Sequence, residues 1–226
     1  MNRLKNLKGP ERLKEFRVLK TKFYPALGDY YRQQFPTPQN YFNARSSFIR
    51  TTATMSIIGY ILGLGDRHGE NIMIDVCSGE VFHVDFNMLF NKGEDLKVPE
   101  TIPFRLTQNM IDAMGVLGIE GPFRKNCEIV LRVLQKEKNT LMSYLRPLVY
   151  DLKNEQPDHK HTDERVEKGS VESIKKIENR LKGIVSKYKG SSGIPLSTEG
   201  QVNFIISEAT NETALSNMYH GWAPWL

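Results

Sequence analysis
Apolar positions follow the helical period along most of the chain and a period of two in one short stretch. Leu13, Phe16, Leu19 and Phe23 line one face of a helix that follows Gly9-Pro10 and stops at Pro25. Phe35-Pro36-Thr37-Pro38 reads as a turn, because each proline pushes its predecessor out of helical geometry. A second helix is predicted from about Asn40 through Ile61, with its apolar end, Met55 to Leu62, buried. Gly63, Gly65 and Gly69 punctuate a polar loop, after which Ile72-Met73-Ile74, a turn at Cys77-Ser78-Gly79-Glu80, and Val81-Phe82-His83-Val84 carry the signature of a β-hairpin.

The helical period returns from Gln108 to Arg146, broken near Gly115, Gly118 and Gly121-Pro122. Residues 154–162 are polar and hold Pro157, and read as a linker. Val171, Ile174, Ile177, Leu181 and Ile184 mark a charged helix ending near Gly190-Ser191-Ser192-Gly193, where a second linker is predicted. Val202, Ile205, Ile206 and Ala209, then Leu215, Met218, Tyr219 and Trp222, predict two short amphipathic helices at an angle. The fold class is therefore mainly α with one small β-hairpin.

Composition changes this picture little. With 226 residues, 39% apolar and 10% aromatic, the chain can bury a core, and wholesale disorder is excluded. Two cysteines, Cys77 and Cys127, make neither a disulfide framework nor a four-cysteine zinc site. No apolar run approaches the ~20 residues of a membrane helix, so a soluble, reducing compartment and no membrane partner are expected. The net charge of +5 is a local matter: residues 1–22 carry eight Lys or Arg against Glu11 and Glu15, and the remainder lies within one charge of neutral. One basic helix with a solvated face fits that distribution better than a nucleic-acid surface.

The candidate chemistry lies in the loop before the hairpin and at the hairpin's end. Gly65-Asp66-Arg67-His68-Gly69-Glu70-Asn71 and His83-Val84-Asp85-Phe86-Asn87 bring two acids and an amide to one turn. Each acid alone reads better as part of a capped turn with a surface ion pair or as a polar strand end, and His68 alone equally as a packing residue. Together they fit phosphoryl transfer, which needs a carboxylate to orient an attacking hydroxyl and oxygen ligands to hold Mg2+ against phosphates. Protein kinases place an Asn five residues after the catalytic Asp and an Asp-Phe pair after a hairpin. Asp66, Asn71 and Asp85-Phe86 repeat that spacing.

On these motifs the sequence resembles the phosphatidylinositol 3-kinase-related protein kinases, whose loop reads Asp-Arg-His-x-x-Asn. The stretches from Gly59 to Asn71 and from His83 to Glu94 carry the resemblance. So do Gly193-Ile194-Pro195-Leu196-Ser197 and Gly221-Trp222-Ala223-Pro224-Trp225-Leu226, which resemble the family's C-terminal FATC segment. The likeness is strongest over 45–125 and 193–226 and weakest over 150–190. It implies a kinase C-terminal lobe at 1–150, with catalytic loop 63–73 and metal-binding and activation segment 83–106. A regulatory linker and charged helix follow at 151–193, then a FATC-like segment at 194–226. It further implies Asp66 as catalytic acid/base, His68 beside the transferring phosphate, and Asn71 with Asp85 on Mg2+ or Mn2+, all four serving to bind ATP.

The loop from Asn87 to Pro103, including Phe90 and Lys92, would face a protein substrate carrying Ser or Thr, preferably before Gln. An obligate partner subunit, DNA damage sites reached through partners, and a nuclear location follow from the same resemblance. Asn87 stands where Gly is usual after Asp-Phe, which removes backbone freedom there. Lipid kinases share the Asp-Arg-His order, but the loop's Lys92 and Lys97 against Glu94, Asp95 and Glu100 disfavour a polyanionic headgroup. Leu215, Met218, Tyr219, Trp222 and Trp225 are expected to dock the tail on the lobe near the activation segment, since so short a segment cannot bury that surface alone.

No G-x-G-x-x-G and no lysine strand precede the catalytic loop. The 226 residues therefore read as the C-terminal part of a longer polypeptide, expected to transfer little phosphate by themselves. A non-catalytic scaffold with the same fold is the alternative, and intact Asp66, Asn71 and Asp85 speak against it.

Overall fold
The computed structural model describes residues 7–154, 163–185 and 193–226. Helix α1 (Gly9–Lys22) starts on Pro10 and carries Phe16 and Leu19 inward, while Phe23 beyond its end is 39% exposed. Helix α2 (Leu27–Gln34) occupies a stretch in which the apolar period predicts no element. Its Tyr31 is fully buried and its hydroxyl donates to the Gly79 carbonyl at 2.7 Å, so one aromatic ties this helix to the hairpin. Burial raises the phenol's pKa well above its ordinary value.

Helix α3 (Pro38–Leu62) is the central element. Thr37 caps it by accepting from Asn40 N at 3.3 Å, with Pro38 at the first helical position. It ends at Gly63, which takes a left-handed conformation, φ 65°. A Cβ there would also collide with Asn91, so the glycine both stops the helix and admits the activation segment. Strands β1 (Ile72–Ile74) and β2 (Val81–His83) pair antiparallel, Met73 opposite Phe82. Asp75 shapes the turn by accepting from Cys77 N and Ser78 N at 2.7 and 2.8 Å.

Helices α4 (Gln108–Ala113), α5 (Pro122–Lys136) and α6 (Lys138–Asn154) follow; the last runs through Pro147 and beyond the predicted end at Arg146. Helix α7 (Asp163–Leu181) begins before Val171, which is exposed, and stops well short of residue 190. The stop is local: Gly183 adopts φ 79°, and Ile184 N returns to Asn179 O at 2.9 Å, throwing Ile184 off the helix. Helices α8 (Thr198–Ala209) and α9 (Glu212–Asn217) follow, and a 3-10 turn at His220–Trp222 is the last described element. The predicted linkers fall mainly on residues 155–162 and 186–192, outside the described residues.

The main core is built on α3, with Phe48, Ala53, Ile57 and Ile61 packed among Phe123, Leu131, Ile177 and Ile205. A second core joins Phe16 and Leu19 of α1 to Leu215, Met218, Trp222 and Trp225 of the tail. The basic helix is thus not merely a solvated face. Arg17 and Lys20 both reach Glu212, at 2.7 and 2.8 Å, and Arg12 donates to the carbonyls of Ser216 and Met218. Among the described residues no helix is long and apolar enough to cross a membrane.

Candidate active site
The loop between α3 and β1 places Asp66, Arg67, His68 and Asn71 in sequence, and the end of β2 supplies Asp85. Both aspartates have positive φ, 57° at Asp66 and 58° at Asp85. Aspartate tolerates this left-handed region better than most residues, yet two such positions at one turn need outside support.

Arg67 supplies much of it. The side chain is 3% exposed and makes no carboxylate pair; its guanidinium donates instead to backbone carbonyls. These are Gly65 O at 2.9 Å, Val84 O at 2.7 Å, Asn71 O at 3.5 Å, and Asp85 O. One buried cation therefore ties the loop from Gly65 to Asn71 to the hairpin's exit. Burial lowers its pKa, with Asp66 and Asp85 opposing the shift. The sequence reading passed over Arg67; its one signal is a cation between two candidate catalytic side chains.

Asn71 is buried, and its amide nitrogen donates to Asp66 O at 2.7 Å, which leaves its oxygen free to serve as a ligand. Its own carbonyl accepts from Val84 N at 3.1 Å. Asp85 Oδ1 accepts from Asn87 N at 3.0 Å, and the residue stays exposed. His68 uses Nδ1 to accept from Glu70 N at 3.2 Å and directs Nε2 toward Asp66 Oδ2, 3.8 Å away. An amide oxygen and a carboxylate are hard donors that fit Mg2+ or Mn2+, and a pair of them suits an ion that keeps waters and phosphate oxygens. Among the described residues no group of three acidic, His or Cys side chains forms a self-sufficient metal cage. His83, with a buried Nδ1 lacking a partner, is held neutral by burial and by Arg67, its pKa lowered to about 4.

Two expected site residues are placed differently. Phe90 is 3% exposed in the main core and cannot face a substrate; a left-handed φ of 60° turns its ring inward while its N–H bonds Leu62 O. Tyr219 is 59% exposed, whereas Leu215, Met218, Trp222 and Trp225 are buried. Helix α9 ends at Asn217 and Met218 is extended, so the helical period that would have turned Tyr219 inward has already lapsed. Asn87 is exposed and keeps a negative φ, so this turn does not require glycine. Lys92 and Pro103 are half-buried, with Lys92 Nζ 3.4 Å from Asn87 O.

The loop's charge balance also changes. Glu94 pairs with Lys176 at 2.8 Å, and Glu100 turns inward to accept from Asp66 N with both oxygens, at 3.0 and 2.9 Å. That leaves Asp95 against Lys92 and Lys97, so loop charge does not separate a peptide from a lipid headgroup. The tail meets the activation segment's end: Arg105 stacks over Trp222 at 4.4 Å and donates to the carbonyls of Trp222 and Ala223. Gln108 donates to Trp225 O at 2.7 Å.

Residues 1–156 match the phosphatidylinositol 3- and 4-kinase family and residues 195–226 match the FATC domain, and the chain belongs to that family. Among individual proteins it is 52% identical over 207 residues to the serine/threonine-protein kinase ATR of Drosophila melanogaster, covering 89% of this chain and 8% of that protein. It is 44% identical over 204 residues to protein kinase rad3 of Schizosaccharomyces pombe, covering 90% and 8%. Of solved structures, the Tel1 kinase butterfly symmetric dimer superimposes with a TM-score of 0.82 at 34% identity, covering 100% of this chain and 9% of that one. The chain thus spans about a twelfth of the length of the curated relatives it matches.

Proposed function
We propose that this chain is the C-terminal catalytic segment of an ATR-like Ser/Thr protein kinase, which moves the γ-phosphate of ATP to protein hydroxyls in DNA-damage and replication-stress checkpoint signalling. The observation that carries this reading is the frame around Arg67, which holds Asp66, Asn71 and Asp85 on one turn through their backbones and leaves the carboxylates free to act. Asp66 orients the incoming hydroxyl and takes its proton; His68, with Nε2 on the Asp66 side, faces the phosphate in flight. Asn71 and Asp85 would hold Mg2+ or Mn2+, which would neutralise phosphate charge.

Asn87, Lys92 and Pro103 remain as the residues that border the substrate, with Ser or Thr before Gln as the favoured acceptor. Residues 1–150, 151–193 and 194–226 serve as lobe, regulatory helix and tail. An ATRIP-type obligate partner brings the kinase to DNA damage in the nucleus, and no membrane takes part. The isolated 226 residues transfer little or no phosphate, because no Gly-rich loop and no lysine strand precede Asp66 in their sequence. The names of the relatives favour a protein over a lipid substrate.

The test is Mg2+-ATP-dependent phosphorylation of a Ser-Gln peptide by the full-length kinase. Asp85→Ala is expected to abolish transfer while leaving expression and melting near wild type, since an exposed metal ligand contributes little packing. Near-normal turnover in that variant refutes the assignment.

A further inference from the structure
The activation segment carries a carboxylate, Glu100, that the catalytic chemistry above does not use. Glu100 follows Pro99, and its backbone N–H bonds Gly93 O at 3.0 Å, which fixes its Cα against the turn at Lys92–Asp95. Its side chain then passes between Gly65 and Gly93, where a Cβ on either would meet the carboxylate. Both oxygens converge on the N–H of Asp66. On the other side of the same residue, Asn71 holds the Asp66 carbonyl. The left-handed Asp66 is therefore gripped at both its peptide groups by side chains, one from its own loop and one from a segment 34 residues later.

The grip is not a by-product of tight packing. Glu100 lines a cavity of about 180 Å3 together with Leu64, Ile102, Arg180 and Ile205, so the carboxylate has room to leave. Burial, and less so the adjoining Asp66, raise its pKa, and the bond from Asp66 N only partly opposes that shift. Two residues on, Ile102 packs against the second core, and Arg105 stacks on Trp222. The stretch 100–105 thus spans from the catalytic aspartate to the tail.

We infer that Glu100 is a positioning residue for phosphoryl transfer: its carboxylate holds the Asp66 peptide in the left-handed conformation that aims the Asp66 side chain, and makes that aim depend on a docked activation segment. This rests on the kinase reading of Asp66. On this inference Glu100 acts through the Asp66 peptide rather than on substrate or nucleotide, so its loss is expected to act on turnover and spare binding.

The experiment uses full-length kinase with ATP and a Ser-Gln peptide, varying each in turn. Glu100→Ala is expected to lower kcat by about 10- to 100-fold, the usual range for groups that orient a catalytic side chain, with both KM values within about threefold. Glu100→Gln keeps an acceptor oxygen and is expected to recover much of that loss. Gly93→Ala touches no catalytic group, but its Cβ would sit 2.5 Å from the carboxylate and displace it. Its effect should match Glu100→Ala in direction, and the double variant should be no worse than Glu100→Ala, the mark of one shared interaction. Amide exchange at Asp66 should quicken in both single variants.

Asp85→Ala separates the two readings. If it stays active, the kinase assignment fails and the inference fails with it. If it is dead while Glu100→Ala turns over within about twofold of wild type, or loses only peptide KM, Glu100 is a surface or substrate-facing acid and the inference alone is overturned. Should Glu100→Ala not fold, Glu100→Gln and Gly93→Ala decide: additive effects, or none, overturn it.

Discussion

Around Asp66 the chain is held by hydrogen bonds between side chains and backbone, with few apolar atoms involved; around Trp222 it is held by apolar burial, which arginines then orient. The first region fixes directions. Arg67, Asn71 and Glu100 each address a peptide group, so a displacement of one bond re-aims a catalytic side chain. The second fixes proximity. Phe16, Leu19, Leu215, Met218, Trp222 and Trp225 share one cluster, and moving any of them changes how firmly the tail sits without redirecting a catalytic group. The two kinds of scaffold should therefore fail differently, one in rate and the other in stability.

The strongest way to break this contrast is Arg67→Ala. It strips donors from several buried carbonyls, each worth ~1 to 3 kcal/mol when left unpaired. Turnover is expected to vanish and thermal melting to fall, and Arg67→Lys should not restore either, because one ammonium cannot reach carbonyls spread over a planar fork. Full activity in Arg67→Lys would show that charge, not direction, is what the site needs.

Trp222→Ala comes next, at about 3 to 5 kcal/mol for truncating a buried aromatic. Limited proteolysis should cut residues 87–103 faster and kinase activity should drop. Unchanged cleavage together with unchanged activity would mean that the tail is no part of the catalytic apparatus.

Cys127 in the main core provides a control remote from both regions. Burial pushes its thiol up to about 12, so between pH 9 and 12 the unfolded chain has shed a proton that the folded chain keeps. Stability then falls as pH rises through that window, by at most about 1.4 kcal/mol per pH unit, and Cys127→Ala should flatten this slope in alkaline melts. The same burial predicts the labelling order: native protein should be alkylated at exposed Cys77 alone, denatured protein at both without a reductant. A linked peptide pair would contradict it.

The smallest effect belongs to Glu212→Gln. Its two cationic partners lie at a partly solvated surface, so the loss should stay under about 1 kcal/mol and shrink further in salt. A larger loss that shrinks as salt is added would show that charge, not burial, holds the tail to α1.

What could be read from the sequence follows the same division. The hairpin, the long helix and the spacing of Asp66, Asn71 and Asp85 are short-range features, encoded in glycine punctuation, period-two alternation and a five-residue offset. Arg67 and Glu100 have no such local mark, since each acquires its part from a peptide group brought near by folding. Glu100 was counted as loop charge for that reason. Phe90 and Tyr219 depart from the period because their backbones leave the regular geometry it assumes, one through a left-handed residue and the other because α9 stops at Asn217, well before Trp222. Helix α2 escaped notice because only eight residues form it, and what holds it is one buried tyrosine reaching the hairpin.

The second core also sets an order of events during synthesis. Arg12 meets Ser216 across 204 positions of chain, which a ribosome working at roughly 5 to 20 residues per second needs about 10 to 40 s to traverse. Throughout that interval Phe16 and Leu19 lack the tail side chains they pack on, so α1 completes this core only once the tail has been made. Nascent chains arrested before Leu215 should expose that helix to proteases or chaperones, and chains released beyond Trp225 should hide it; equal protection in both would mean that another surface shelters it first.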